Sequence, residues 1–470
     1  MQSFVLLAIM VFASGCFIVT DSNAQTSSGA VKHISMQEAI ARALHKNNQI
    51  RANQYAVRKA GWDRKNAWSQ LLPDISLNSR YTWIDDSTYV LRDFFRQNIR
   101  LFFPNIPESV EIPQTVFQTS YFSSVDISAP LFNAAILNGL FIANANVRMA
   151  EEYGTSMKDN ITFQVVSSYL NVLKGLDVLK LQHDYLELSQ LNYEKAERLF
   201  GAGRYSKTEA LRWKVEYQQQ KSQVATSRTV LHTNQSLLRR LLNMDLQEEI
   251  EIVDQIPAQI KNESDRIAIL TEDALLKMVQ LSDDALISAN AALAAGRANE
   301  DISRLLYKNS YAAYLPQVTA SYSHSWQENN TFALDDYSPK VFSINLSVPL
   351  FTGFKNLTSV KSAYYEHKKT EELFQDQLKN IRHILTEIIN RLMDLRTLRE
   401  LTKVEVEYNE HNYKVVAQQK ERDLVSNIEF IDAKLNAQNA RLNAINAEYD
   451  FISSMVELYY LLGRLGAIVE

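Results

Sequence analysis

The residues best placed to do chemistry in this sequence are Glu429 and Asp432, within Ile428-Glu429-Phe430-Ile431-Asp432-Ala433. Carboxylates three positions apart share one face of a helix. If copies of that helix stood around a common axis, the pair would form stacked rings of like charge. Such rings favour cations, and crowding raises some of the carboxyl pKa values. The same spacing also suits an ordinary solvated helix face. At an offset of 220, Glu209 takes the place of Glu429, whereas Arg212 takes that of Asp432, with Trp213 one residue further on. Covalent or metal chemistry has no comparable foothold. Eight histidines are scattered without metal-ligand spacing, and no phosphate loop, nucleophile elbow or zinc-binding His pair occurs. The single cysteine, Cys16, lies in an apolar leader. The chain is therefore not read as an enzyme, and no cofactor or metal is expected.

What must position these carboxylates is a long helix in a duplicated chain. Leu72-Pro73-Asp74-Ile75-Ser76-Leu77 recurs as Leu315-Pro316-Gln317-Val318-Thr319-Ala320, 243 residues later. Ser128-Ala129-Pro130-Leu131-Phe132 recurs as Ser347-Val348-Pro349-Leu350-Phe351 at an offset of 219, and 238–243 matches 458–463 at 220. Three matches in one order mark two structural repeats, 25–270 and 271–470, forming one elongated domain. The fall in offset places about 24 extra residues between the first pair of strands, in an external loop over 85–118. That loop holds Phe94, Phe95, Phe102 and Phe103, which suit folding over a barrel mouth or packing on a neighbour.

Each half reads as helix, strand, loop, strand, very long helix, tight turn and return helix. The capping box Ser35-Met36-Gln37-Glu38 opens a first helix that runs to about Leu71, before Pro73; its counterpart spans about Thr271 to Tyr314. Long helices over about 133–200 and 353–422 reach near 100 Å at about 1.5 Å per residue. Such length needs coiled-coil-like packing against return helices over 207–242 and 427–462. The first turn, Phe200 to Ser206, has Gly201 and Gly203 to reverse the backbone and Ser206 to cap the return helix. The second, Arg422-Asp423-Leu424-Val425-Ser426, lacks glycine.

The strands alternate. Ile75, Leu77, Tyr81 and Trp83 are separated by Ser76, Asn78, Arg80 and Thr82, and Phe342, Ile344 and Leu346 by Ser343 and Asn345. Tyr121, Val125 and Ile127, and Val318, Ala320, Tyr322 and Trp326, follow the same rule. One apolar and one small-polar face suits a membrane barrel, with lipid outside and water within. A soluble antiparallel sheet packed on one face alternates likewise; aromatic residues near the strand ends favour the membrane. A membrane sheet cannot keep free edges, so four strands must close with other copies, and three copies give twelve strands.

Composition agrees. With 49 basic and 54 acidic residues the formal charge is -5, and no basic stripe points to nucleic acid. Only 12 Gly and 9 Pro interrupt 470 residues, as long helices require. Residues 1–24 form a signal peptide, cleaved after Ala24 or, if Ala13-Ser14-Gly15-Cys16 acts as a lipobox, before a lipidated Cys16. Beyond it no run of about 18 apolar residues supplies a transmembrane helix.

The doubled Pro-Leu-Phe after an alternating strand, the Leu-Pro before each hairpin and the return helices ending Leu-Leu-Asn or Leu-Leu-Gly resemble the TolC-type outer-membrane efflux proteins. So does the opening Met36-Gln37-Glu38-Ala39-Ile40-Ala41-Arg42-Ala43-Leu44, and the resemblance covers about 34–466. It implies a mainly α protein with a small membrane β-barrel: a homotrimer with a 12-stranded barrel in outer-membrane lipid of a Gram-negative cell and an α-helical tunnel through the periplasm. It also implies a periplasmic adaptor and an inner-membrane pump as partners, with no energy source in the chain itself. By the same resemblance Gly201, Gly203, Arg204, Ser206, Leu424 and Ser426 would form the adaptor-contacting tip, against an ordinary hairpin turn, and Glu429, Asp432 and Glu209 the pore constriction. Efflux of small molecules, the exit channel of type I protein secretion and a periplasmic coiled-coil scaffold are the functions left open.

Overall fold

The computed structural model describes residues 33–469 except 246, 247, 249, 254, 329–337 and 423, so the leader and Cys16 lie outside the described residues. The first half begins with β1 (His33–Ile34), α1 (Met36–Lys46), α2 (Asn48–Ser69) and β2 (Asp74–Trp83). Two helices follow, α3 (Asp86–Gln97) and α4 (Ile99–Phe102), then β3 (Thr119–Asn133), α5 (Ala134–Gly201) and α6 (Lys207–Leu241). After β4 (Glu251–Ile252) and α7 (Ala258–Ile269), the second half has α8 (Glu272–Val279), α9 (Asp283–Ala289), α10 (Ala291–Ser310), β5 (Gln317–Glu328) and β6 (Lys340–Ser347). It ends with α11 (Lys355–Glu421), α12 (Asn427–Leu461) and α13 (Gly466–Val469).

The long helices have 68 and 67 residues and both return helices have 35, close to the lengths read from the repeat offsets. The single first helix expected over 35–71 is instead two. The Ser35 capping box opens α1 as expected, but the chain turns extended at Asn47. The Asn47 amide there donates to the Leu241 carbonyl at 3.0 Å, and its oxygen caps α2 by accepting from the Gln49 N–H at 2.8 Å. The expected helix over 271–314 is instead three, breaking once at 280–282, where Ser282 caps α9, and again at Asn290. Asn290, 243 residues after Asn47, donates to the Leu461 carbonyl at 3.0 Å and caps α10 through the Ala292 N–H at 3.0 Å. A side chain that offers the backbone its own partners ends one helix and starts the next.

The main apolar core lies midway along the long helices. It gathers Ile161, Val165, Tyr169 and Leu173 of α5, Leu385, Ile388 and Leu392 of α11, and Phe451, Ile452, Met455 and Val456 of α12. Helices α1, α7, α8 and α9 add Ala39, Ile260, Leu275 and Leu286 from the flank. Each such side chain contributes about 1.5–3 kcal/mol when fully buried. The buried Tyr169 hydroxyl donates to the Ile34 carbonyl at 3.1 Å, tying the short parallel pair β1–β4 to this core.

At one end of the molecule the four strands form a sheet in the order β2-β3-β5-β6, antiparallel throughout. A register shift between Pro130 and Phe132 bends β3 as it passes into α5. Among the described residues no helix is long and apolar enough to cross a membrane.

Candidate functional site

The end of the helices remote from the sheet is where the two long hairpins turn. Gly203 has φ +71 and no atom within 4 Å of where a Cβ would stand, so backbone conformation and not space requires glycine. Its N–H reaches the Phe200 carbonyl at 2.9 Å, and the Arg204 N–H reaches that of Leu199 at 2.8 Å, which closes α5. Gly201, expected to share in the reversal, is the last residue of α5 and helical; the reversal belongs to Gly203. In the second turn the Leu424 N–H does the same work by donating to the Gln419 carbonyl at 2.9 Å. Gly201, Gly203, Arg204, Ser206, Leu424 and Ser426 are all exposed there.

Beyond each turn the chain restarts with a capping box. The Ser206 N–H donates to Glu209 Oε2 at 2.9 Å while the Glu209 N–H donates to the Ser206 hydroxyl at 3.2 Å. Ser426 and Glu429 repeat this 220 residues later, at 2.8 and 3.2 Å. Two of the three candidate acids thus turn back onto their own helix ends. The Ser206 backbone N–H, then its hydroxyl, hold the Glu209 carboxyl below the usual range. Ser426 does the same for Glu429. Within one chain, hydrogen-bond donors therefore move these groups in the direction opposite to that expected from crowded rings. Glu429 and Asp432 are both exposed. Glu209 is half-buried and links the hairpins by accepting from the Asn427 amide at 3.3 Å.

Directly behind the acids Ala196, Trp213, Phe430 and Ile431 form a second, small apolar core. The Trp213 and Phe430 rings lie 5.9 Å apart, and Phe430 lies 5.7 Å from Tyr413. The next layer is polar and buried. Lys434 of α12 is 0% exposed; its ammonium contacts the Glu216 carboxylate of α6 and donates to the Ser189 hydroxyl of α5 at 2.7 Å. Burial lowers its pKa against the pull of Glu216. One turn on, Gln438 donates to Gln182 at 2.7 Å and Gln220 at 3.1 Å, and Gln220 donates to Gln182 at 2.7 Å. Sequence reasoning missed this layer. Its signal was a matched pair of polar residues at i and i+4 on the inward side of both return helices.

At the opposite end one face of the sheet carries Ile75, Leu77, Tyr81, Val125, Ile127, Phe342, Ile344 and Leu346, with Leu77 75% and Phe342 66% exposed. The other face is small and polar. There Asp126 accepts from Asn78 at 2.8 Å, Ser124 at 2.7 Å and Ser323 at 2.5 Å, joining three strands. Residues 85–118 include α3 and α4 and fold on themselves. Phe95 stacks on Phe102 at 5.6 Å and meets Phe103 edge-on at 6.5 Å, while buried Asp93 pairs with Arg96 at 2.6 Å.

Residues 281–464 match the family model described as outer membrane efflux protein. Two curated relatives span most of the chain. The alkaline protease secretion protein AprF of Pseudomonas aeruginosa is 22% identical over 356 residues, covering 74% of this chain and 70% of the relative. The outer membrane protein TolC of Vibrio cholerae is 22% identical over 365 residues, covering 73% and 76%. Among solved structures, CusC superposes with TM-score 0.75 at 13% identity, over 93% of this chain and 95% of its own. The outer membrane protein VceC of Vibrio cholerae gives 0.73 at 13% identity, over 91% and 96%. The family and these relatives are outer-membrane channel proteins rather than enzymes. The likeness to these outer-membrane proteins puts the chain at the outer membrane, extending into the periplasm.

Proposed function

We propose that three copies of this chain close their sheets into a 12-stranded barrel and their helices into a periplasmic duct, the passive exit of a tripartite efflux system. One observation carries the reading. The four-stranded sheet has an exposed apolar face and two unpaired edges, β2 and β6, and both defects vanish if the sheet is closed in lipid. Because the strands alternate in direction, β6 of one copy meets β2 of the next antiparallel. The free apolar face also counts against a soluble scaffold.

In this reading the exposed turn residues Gly203, Arg204, Ser206, Leu424 and Ser426 meet a periplasmic adaptor protein, through which an inner-membrane pump supplies the energy. Glu429, Asp432 and Glu209 line the narrow entrance as acidic rings that favour cations. A second reading, the exit channel of type I protein secretion, uses the same duct. The relative named for alkaline protease secretion supports keeping it.

The test is unheated gel mobility and light scattering of protein extracted from outer membranes in detergent. A heat-labile trimer seen only with detergent is expected; a monomer soluble in plain buffer would overturn the proposal. Loss of the gene separates the two readings. Hypersensitivity to toxic small molecules indicates efflux, and loss of a secreted protein indicates secretion.

A further inference from the structure

The internal repeat is kept at single-residue accuracy in the sheet, and this fixes how two copies must meet. Let the first strand of each half be related by 243 residues and the second by 219, the offsets read from the sequence. The β2–β3 pairs Asp74–Ser128, Leu77–Val125 and Ser79–Ser123 then become Gln317–Ser347, Ala320–Ile344 and Tyr322–Phe342. Those are the pairs β5 and β6 make. The hairpin register of one half therefore reproduces that of the other. The caps Asn47 and Asn290, on Leu241 and Leu461, show the same transfer in the helices.

One strand junction, β3–β5, joins the two halves within the chain, and it has no partner inside the chain under this relation. Its counterpart is β6 against β2 of another copy. Applying the same offsets, Ser123–Trp326, Ser124–Ser325 and Asp126–Ser323 become Phe342–Trp83, Ser343–Thr82 and Asn345–Arg80. Resting on the trimeric reading above, we infer that β6 of each copy pairs with β2 of its neighbour in this register: Phe342 opposite Trp83 and Ile344 opposite Tyr81 on the lipid face, and Ser343 opposite Thr82 and Asn345 opposite Arg80 on the lumenal face.

The chemistry of the pairs supports the register. The lipid face receives two apolar pairs with an aromatic residue in each, the kind that stabilises neighbouring strands. On the lumenal face the hydrogen bond from Ser323 to Asp126 inside the chain is matched by one that the Arg80 guanidinium can donate to Asn345 of the neighbour. A slip by one residue would turn the apolar set of β2 into the lumen. A slip by two keeps the faces but sets Arg80 opposite Ser343, away from Asn345.

The register also fixes the barrel. Moving straight across from Asp74 to Ser128 to Ser321 reaches the repeat equivalent of Asn78, so each half advances four residues. Six halves give a shear of 24 over 12 strands. With strands about 4.8 Å apart and about 3.3 Å per residue, the tilt is about 54° and the backbone cylinder about 30 Å wide. This is steeper and wider than a small side-chain-filled barrel, as an open pore requires.

Paired cysteines test the register, since directly opposed residues lie close enough for a disulfide and positions two residues off do not. Within one chain 82 and 343 stand on opposite edges, so a bond between them must join copies. S343C/T82C and N345C/R80C, oxidised in outer membranes, should give covalent dimers and trimers that survive heating without reductant. The crossed pairs S343C/R80C and N345C/T82C should give about fivefold less or none, and each single cysteine none. Stronger linking by a crossed pair, or no linking by any pair while the unheated trimer persists, would overturn the register and leave the trimer standing. Absence of an unheated trimer in the unsubstituted protein would instead sink the trimeric reading.

Discussion

Lys434→Met is the perturbation whose magnitude follows most directly from the structure. Lys434 is wholly buried among α5, α6 and α12, and its ammonium is the cation facing the Glu216 carboxylate. One Glu216 oxygen, Oε2, is buried without any hydrogen-bond partner. Removing the lysine leaves that carboxylate uncompensated, a loss of about 3–5 kcal/mol. At about 1.4 kcal/mol per decade, amides of 182–220 and 427–440 should exchange with deuterium roughly a hundred- to several-thousand-fold faster. The sheet and the core around Ile161 and Ile452 should be unaffected. Lys434→Met combined with Glu216→Leu replaces the pair by apolar groups and should recover most of the protection, because a buried ion pair and a packed apolar pair are of similar stability. Native-state exchange of the detergent-held protein, resolved by peptide, reads both. Unchanged protection in the single variant, or a double variant as loose as the single, would refute the view that this pair holds the hairpins together.

Three further outcomes are expected. Gly463→Ala places a Cβ 1.8 Å from the Ala289 carbonyl oxygen at φ +64, whereas Gly203→Ala, at φ +71 in open space, meets only the backbone preference of about 1–2 kcal/mol; thermal unfolding should show Gly463→Ala as much the more damaging. Glu429→Ala with Asp432→Ala should weaken cation selectivity in planar bilayers, and unchanged selectivity would remove these residues from the constriction. Folded-state lowering of the Glu209 and Glu429 pKa values means the capping boxes stabilise fully above the ordinary carboxyl value of 4.5 and lose that contribution as pH falls below it. Protease nicking of the turns should therefore rise below about pH 4.5, and Ser206→Ala with Ser426→Ala should abolish that dependence.

The elements most legible in the sequence were those set by a single periodicity. Leu77 and Phe342 lie on the apolar face because alternation is the whole signal for a half-exposed strand, and α5 and α11 run uninterrupted because little in them breaks a helix. The break at Asn47 within the helix expected over 35–71 was not legible, because its side chain ends α1 on a carbonyl 194 residues away and periodicity carries no information about that partner. Glu429 was legible as an acid near the turn but not as half of a capping box, although Ser426 three residues earlier is the mark of one. Lys434 was missed for the opposite reason: a lysine on a long helix is ordinarily solvated, and only the third helix converging on it makes it buried. The β1–β4 pair is two residues per strand, too short to leave a pattern.

In the proposed trimer, a barrel about 30 Å wide and a constriction at Glu429 and Asp432 would behave electrically as two resistors in series. Resistance scales with length and inversely with cross-section, so the wide barrel adds little even though it is the part that lipid surrounds. Almost the whole applied voltage would then fall across that constriction. Single-channel current through this protein would accordingly be a measurement of Asp432 and its neighbours. Substitutions in the loop 85–118, if it stands at the barrel mouth as proposed, would stay invisible to it unless they narrowed that mouth to the width of the far end.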